Sequence, residues 1–258
     1  MSLKELIRSN RRKLDQDLGT LPQRRLFSPA YYSQYDVTLP LIRQYARGKL
    51  VDLGCGDMPF RHLIADRVSA YDSLDLFPRS AKVTYTGNIQ NMDMIASESY
   101  DTAICIEVLE HVPDPFQAMR EISRILKPGG VLILSVPHLS RLHDEPHDYY
   151  RYTRYGIRCL LEQGELIVLS VNKRGGVFSF IGHQIATLLL GMVWHIPVVK
   201  DVAWFVNSWV FTRACYRLDQ LLDAGGTMAM GYSAVAIKKG GVGGDHQMHD
   251  SPSEKKAE

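Results

Sequence analysis

Apolar and polar positions along the chain alternate between two kinds of block. Lys49-Leu50-Val51-Asp52-Leu53 is a short apolar run that ends in Gly54-Cys55-Gly56, the pattern of a buried strand feeding a tight turn. Similar runs cover 69–76, 82–86, 100–107, 131–136, 166–171 and 231–237. Segments of helical period lie between them. One helix is expected from Asp57, with Pro59 tolerated in its first turn. Another opens at Asp114-Pro115, as cap and first helical residue, and places Phe116, Met119, Ile122 and Leu126 at helical spacing. Lys127-Pro128-Gly129-Gly130 ends it, and a further helix is expected over 155–163. Strands alternating with helices at these lengths predict an α/β fold built on a doubly wound, mostly parallel sheet. Ligands on such sheets bind beyond the carboxyl ends of the strands. That rule selects Gly54–Gly56, Asp75, Asn88 and Glu107.

Two regions depart from the alternation. Residues 1–48 read as an amphipathic helical cap, broken near Leu21-Pro22 and Ser28-Pro29. About 60 residues separate Val171 from Gly231, and they include an uncharged run of 25 from Gly175 to Val199 and an apolar stretch from Val202 to Phe211. The first run is long enough to span a bilayer. His183, Gln184, His195 and Pro197 interrupt it, however, and the second stretch is too short to return across. A helical insertion over about 177–224 is therefore expected in place of a transmembrane helix. Three roles are open for its 177–211 part: a cap over an acceptor pocket, a homodimer interface, or a peripheral patch on a membrane surface. Residues 239–258, rich in Gly, Asp, Ser, Lys and Glu, read as a disordered tail, which leaves 49–238 as the main domain.

Composition narrows the class. A chain of 258 residues with 45% hydrophobic content can build one α/β core and an elaboration. A net charge of +2 with interspersed signs makes no case for nucleic acid. The clusters Arg11-Arg12-Lys13 and Arg24-Arg25 read as solvated faces. Cys55, Cys105, Cys159 and Cys215 form no CxxC pair, which points to a reducing compartment. The polar N-terminus carries no signal-peptide core, so the expected location is cytoplasmic, with any membrane contact peripheral and at the inner face.

A glycine-rich turn between strand and helix lets a ligand approach the backbone closely, and the helix N-terminus expected beyond it favours an anionic group. Asp75 follows Gly56 by 19 residues, at the end of the second strand, where a carboxylate can accept from both hydroxyls of a ribose. These features specify an adenosine-containing ligand. A dinucleotide fingerprint needs a third glycine at the position held by Pro59, which argues against a nicotinamide cofactor.

Val51-Asp52-Leu53-Gly54-Cys55-Gly56 resembles motif I of class I methyltransferases that use S-adenosylmethionine (SAM). The run from Tyr100 to Val112, containing Glu107-Val108-Leu109-Glu110-His111, resembles the fourth-strand signature of their type 11 branch. Leu126-Lys127-Pro128-Gly129-Gly130 resembles the turn before their fifth strand. The resemblance covers about 48–175 and implies a Rossmann-like, seven-stranded sheet, mostly parallel with an antiparallel last strand. It implies SAM as cofactor. Gly54, Cys55, Gly56 and the backbone around Glu107 would then face its methionine part, with Asp52 orienting that loop. Asp75 would bind the ribose, and Leu76, Asn88 and Ile89 the adenine. Tyr31-Tyr32-Ser33-Gln34-Tyr35 is similar to the segment that covers the cofactor, with Tyr32 and Tyr35 as candidates.

Methyl transfer from a sulfonium is an in-line displacement, so alignment matters more than any one catalytic group. A base is needed only when the acceptor must lose a proton. His111, His138, His147 and Tyr150 are the candidates for catalysis. The loop after the fifth strand is dense in polar groups that are costly to bury unpaired. Within it, His143, Pro146, Asp148, Tyr149, Arg151, Tyr152 and Thr153 match a pattern in type 11 members associated with glycan or lipid pathways. His143, Asp148, Tyr149, Arg151 and Tyr152 are accordingly candidates for acceptor binding, with a hydrogen-bonded buttress around Asp148 and Arg151 as the competing reading. His143, Asp144 and His147 could gather round a metal, but no metal is expected. The resulting expectation is methyl transfer to an oxygen, nitrogen or carbon of a small-molecule, glycan or lipid-linked acceptor. The alternatives are a nicotinamide-dependent oxidoreductase and a non-catalytic SAM-binding scaffold.

Overall fold

The strands β1 (Lys49–Leu53), β2 (Ala70–Asp75), β3 (Tyr85–Thr86), β4 (Tyr100–Ile106), β5 (Leu126–Pro137), β6 (Leu166–Arg174) and β7 (Gly231–Lys238) form one sheet. Their order in this computed structural model is β3-β2-β1-β4-β5-β7-β6. The structure describes residues 24–222 and 228–240, together with Ser9, Asn10, Lys13, Leu14 and Asp17. Pairs through β5 are parallel, and β7 runs antiparallel to both β5 and β6. This is the expected doubly wound sheet with its antiparallel last strand.

Both faces of the sheet are covered, which is why its strands read as apolar runs. Val51 and Leu53 join Ala103, Cys105, Leu132 and Leu134 on one face. There they meet Met119 and Ile122 of α3 (Pro115–Ile125) and Leu160 and Leu161 of α4 (Arg154–Gln163). Asp114 caps α3 by accepting from Gln117 N at 2.9 Å, and Thr153 caps α4 by accepting from Gly156 N at 3.1 Å. Leu50, Ile104, Val131, Ile133 and Val235 occupy the opposite face. Ile42 of α1 (Pro29–Tyr45), Ala46 just beyond it, and Ile64 of α2 (Arg61–Ile64) cover them. The N-terminal helix is thus one of the layers that enclose the sheet.

The helix expected from Asp57 starts only at Arg61 and lasts four residues. Met58 takes a left-handed φ of 53°, and the ring of Pro59 disfavours right-handed helix at that residue. The chain after Gly56 is therefore a pair of turns, closed by Met58 N to Cys55 O at 2.8 Å and Arg61 N to Met58 O at 3.2 Å. The anion-binding helix terminus expected beside the glycine loop is not formed. β6 runs three residues past its expected end at Val171, to Arg174.

The insertion folds as α5 (Val177–Val193), α6 (Pro197–Val206), a π-helical turn (Asn207–Phe211) and α7 (Thr212–Leu222). Asp219 of α7 is buried and accepts from Gly176, Phe178 and Ser179 N–H at 2.8, 2.8 and 2.9 Å. It satisfies the open first turn of α5 and ties the two ends of the insertion together. Leu190 and Trp194 pack with Leu14 and Phe27, and Trp194 Nε1 donates to Asp17 at 2.8 Å. No helix among the described residues is long and apolar enough to cross a membrane. The expected break at Leu21-Pro22 and residues 241–258 of the expected tail lie outside the described residues.

Candidate active site

A cavity of about 1930 Å³ opens beyond the carboxyl ends of β1, β2, β4 and β5. Its floor is the Gly54-Cys55-Gly56 turn, and α1 and α5 close its roof through Tyr31, Gln34, Tyr35, His183, Gln184 and Thr187. Its volume exceeds the usual range for one small ligand, so two ligands fit side by side.

The turn is held from below. Gly54 N and Cys55 N donate to Leu74 O at 2.8 and 3.1 Å. Gly54 has φ +68°, and a side chain there would collide with Val108. Gly56 has φ +49°, and a Cβ would meet nothing within 4 Å, because it would point into the cavity. Asp75 accepts from Gly56 N and from Phe77 N, both at 2.9 Å. Each oxygen keeps a further lone pair for a ligand. Leu76, Asn88 and Ile89 line the same end, and Asn88 Oδ1 accepts from Gln90 N at 2.9 Å. Asp52 lies beneath the loop and takes a short hydrogen bond from the Tyr71 hydroxyl. Burial lifts the Asp52 carboxyl to about 7, against the opposing Tyr71 hydrogen bond and with help from the charge of Asp75. Burial pushes the Cys55 thiol up to about 12, so it is no nucleophile.

The other end is made by the loop after β5 and the turn after β4. Pro137, Ser140, Arg141, Leu142, His143, His147, Tyr149, His111 and Glu107 all face the cavity. Arg174, from the extended end of β6, reaches the same wall. Its Nη2 donates to Glu107 Oε1 at 2.7 Å and to Val136 O at 2.9 Å, while Ser135 Oγ donates to the same Glu107 oxygen at 2.9 Å. Glu107 sits at φ +56°, a strained position at the end of β4.

Several expected site residues lie elsewhere. Tyr32 is not on the cavity wall; it packs its ring against Tyr216 of α7, with centroids 5.1 Å apart. On a helix that holds Tyr31 and Tyr35 toward the cavity, the intervening residue must face another way. His138 points behind the wall against the Tyr232 ring, 5.8 Å away. Tyr150 turns outward and donates to Pro113 O at 2.9 Å. Asp148 and Arg151 form a two-pronged ion pair at 2.7 Å, with His143 N also donating to Asp148 at 2.9 Å. The Arg151 hydrogen bonds hold the Asp148 carboxyl far below the usual range. Arg151 also donates to the carbonyls of Ser140 and Arg141, and Tyr152 donates to Leu109 O at 2.9 Å. Asp148, Arg151 and Tyr152 therefore brace the loop that carries His143 and Tyr149, and do not themselves border the cavity.

Glu110, a member of the fourth-strand signature, has no site role in the sequence reading. It is fully buried, and neither carboxylate oxygen has a hydrogen-bond partner. His111 Nε2 and His143 Nε2 stand 3.8 and 3.9 Å from its Oε1. Burial, reinforced by the charge of Glu107, pushes its carboxyl well above the usual range. A signal was present in Leu109-Glu110-His111, since a carboxylate inside an apolar run needs a reason.

A family model described as a methyltransferase domain matches residues 23–172. The chain belongs to the methyltransferase-domain family, within the class I SAM-dependent methyltransferases. The matched stretch contains the glycine turn, Asp75, Glu107 to His111 and the bracing loop, and stops short of Arg174 and the insertion. A ubiquinone biosynthesis O-methyltransferase of Xanthomonas euvesicatoria pv. vesicatoria is 33% identical over 105 residues, 36% of this chain and 44% of that one. The chain thus spans less than half the length of such curated relatives. Among solved structures, a SAM-dependent methyltransferase from Archaeoglobus fulgidus shares the fold, with TM-score 0.51 and 14% identity over 82% of this chain and 95% of that one. The cyclase SpnF does so too, with TM-score 0.52 and 17% identity over 78% and 80%. These two likenesses speak for the fold alone.

Proposed function

We propose that this protein transfers a methyl group from SAM to a small hydrophobic or lipid-linked acceptor. The carrying observation is a single cavity with a nucleoside-type floor at one end and a histidine-rich wall at the other. When bound, SAM supplies a methyl group already activated on a sulfonium sulfur. The residues present suit that ligand: Gly56 leaves the loop open, Asp75 keeps lone pairs for ribose hydroxyls, and Leu76 and Ile89 offer apolar surface to adenine. Asp52 and Glu107 supply negative potential where a cationic ligand would lie. The chain's own groups do the rest. Tyr31, Tyr35 and α5 shield the space from water, and His111, His143, His147 and Tyr149 contact and orient the acceptor. The ubiquinone-pathway relative acts as an O-methyltransferase by name, and oxygen is the acceptor atom favoured here.

The insertion supports the hydrophobic character of that acceptor. Leu188 and Met192 of α5 line the cavity, while Val198, Val202, Phe205 and Trp209 are exposed on the outer side. A cap with one side on the pocket and an apolar side outward fits an enzyme that draws its acceptor from a lipid surface.

Incubating the protein and radiolabelled SAM with fractionated cell extract tests the proposal. Label should enter a lipid or small-molecule pool and vanish with Asp75→Ala. Labelling at full rate by that variant would contradict the cofactor site, and tighter binding of a nicotinamide dinucleotide than of SAM would replace the reading.

A further inference from the structure

We infer that Glu110, His111 and His143 form a binding site for a divalent transition-metal ion, of which Zn2+ is the type, at the acceptor end of the cavity. Their ligand atoms, one from each residue, all lie within 4.8 Å of one another. The inference rests on the methyltransferase reading only for what the ion does, not for the site itself.

Hydrogen bonding around the two imidazoles fixes which nitrogen is free. His111 Nδ1 lies 2.6 Å from His147 O, an acceptor, so Nδ1 carries the proton. His143 Nδ1 lies 3.2 Å from Arg141 O and 3.4 Å from Asp148 Oδ2, again acceptors only. In both neutral rings the lone pair is therefore on Nε2, and both Nε2 atoms face Glu110. This is the arrangement of metal-binding histidines, whose outer nitrogen donates to a carbonyl or carboxylate that sets the tautomer.

Glu110 supplies the second observation. A fully buried carboxylate with no donor on either oxygen is costly to ionise. As a neutral acid it would need an acceptor, yet neither oxygen has a hydrogen-bond partner, and the two Nε2 atoms stand at 3.8 and 3.9 Å. A cation between the three atoms satisfies all of them at once. Ligand atoms around Zn2+ stand about 3–3.5 Å apart, so the two distances to Glu110 need to close by roughly half an ångström and the widest spacing, within 4.8 Å, by up to about 1.3 Å. Two imidazoles and one carboxylate suit Zn2+ or a neighbouring first-row ion better than Mg2+, which prefers an all-oxygen shell. Asp144, with Oδ2 3.9 Å from His111 Nε2, stands at the open side.

Three protein ligands leave a position toward the cavity. A coordinated hydroxyl there would lose its proton to water near neutral pH, its electron pair staying on the oxygen. The acceptor class this selects is a hydroxyl-bearing molecule, such as a phenol or vicinal diol.

The full chain, stripped with chelator and then dialysed against Zn2+, should retain about one equivalent per chain by elemental analysis. With Co2+ it should show the visible absorption of a low-coordinate nitrogen–oxygen site. His111→Ala and His143→Ala should each weaken retention at least 10-fold, while His62→Ala, remote from the cluster, should not change it. S-adenosylhomocysteine titration of the same variants reports folding and the cofactor floor separately. Metal lost with that binding kept supports the site. Failure of the unmodified chain to hold Zn2+ or Co2+, or retention unchanged in both histidine variants, overturns it. Metal retained by a chain that binds no S-adenosylhomocysteine would keep this site and remove the methyltransferase proposal instead.

Discussion

Arg174 donates to Glu107 at 2.7 Å from a strand that lies three places away across the sheet. The guanidinium is nearly buried, with a side-chain exposure of 5% against 29% for Glu107. It fits because Gly231, alongside on β7, has no side chain; a Cβ there would strike Nη2. The pair anchors the strained turn after β4 from which Glu110 and His111 project.

Removing the arginine leaves Glu107 facing the buried Glu110 without its counter-charge. Breaking one partner of a buried pair costs roughly 3 kcal/mol. Arg174→Met should therefore lower Tm by about 6–12 °C, and Gly231→Ala should lower it by displacing the same side chain. Thermal denaturation of both variants, with no change in either, would refute the anchoring role.

The buried Asp52 carboxyl ties stability and cofactor binding to pH in opposite ways. Its folded value of about 7 lies above the ordinary aspartate value of 3.8, so the folded chain holds a proton that the unfolded chain releases. The associated stability is complete below the unfolded value and is lost as pH rises through about 7. Asp52→Asn keeps the shape and never ionises, so its Tm should gain on that of the unmodified chain as pH passes that value. Cationic SAM favours the ionised carboxylate, and its affinity should rise over the same window in the unmodified chain and stay flat in the variant. Calorimetric titration at several pH values reads both slopes.

The sheet was legible because its strands are buried on both faces and punctuated by Gly and Pro. The same holds for the cap at Asp114 and for the tight turn from Gly54 to Gly56, whose geometry is written in local sequence. Asp219 and Arg174 could not be read that way. Each acts on groups about 40 or more residues distant, through contacts that exist only once the sheet and insertion are assembled. Tyr32 was misplaced because a motif gives a segment but not the helical phase. Asp148 and Arg151 read in sequence either as acceptor ligands or as a brace; their mutual ion pair braces the loop. The short α2 was predictable in hindsight, since Pro59 constrains Met58 as well as itself.

The outer side of the insertion makes its own prediction. Phe205 and Trp209 are 60% and 56% exposed, and Arg213 stacks on Trp209 at 4.2 Å. An apolar side chain that leaves water contributes about 1.5–3 kcal/mol, and the Arg213 guanidinium beside Trp209 favours anionic headgroups. The protein should float with anionic liposomes, and Phe205→Asp with Trp209→Asp should reduce the bound fraction more than 10-fold without lowering Tm. Absence from the vesicle layer, in protein folded without detergent, would sink membrane contact and leave the insertion as a cap alone.

The two glycines of the turn after β1 should fail in different ways. Both hold positive φ, so alanine at either carries a backbone cost of about 1 kcal/mol. Gly54→Ala adds a collision with Val108, which is packed against the main core. That variant should lose clearly more stability, by a further 1–3 kcal/mol or so. Gly56→Ala meets open space, so it should stay close to the unmodified chain in Tm. Its new methyl group would occupy the volume a ligand needs above the loop, and SAM affinity should drop at least 10-fold. Paired melting curves and SAM titrations separate the cases. A Gly56→Ala protein that melts normally and binds SAM as tightly as the unmodified chain would show that the ligand does not lie on this turn.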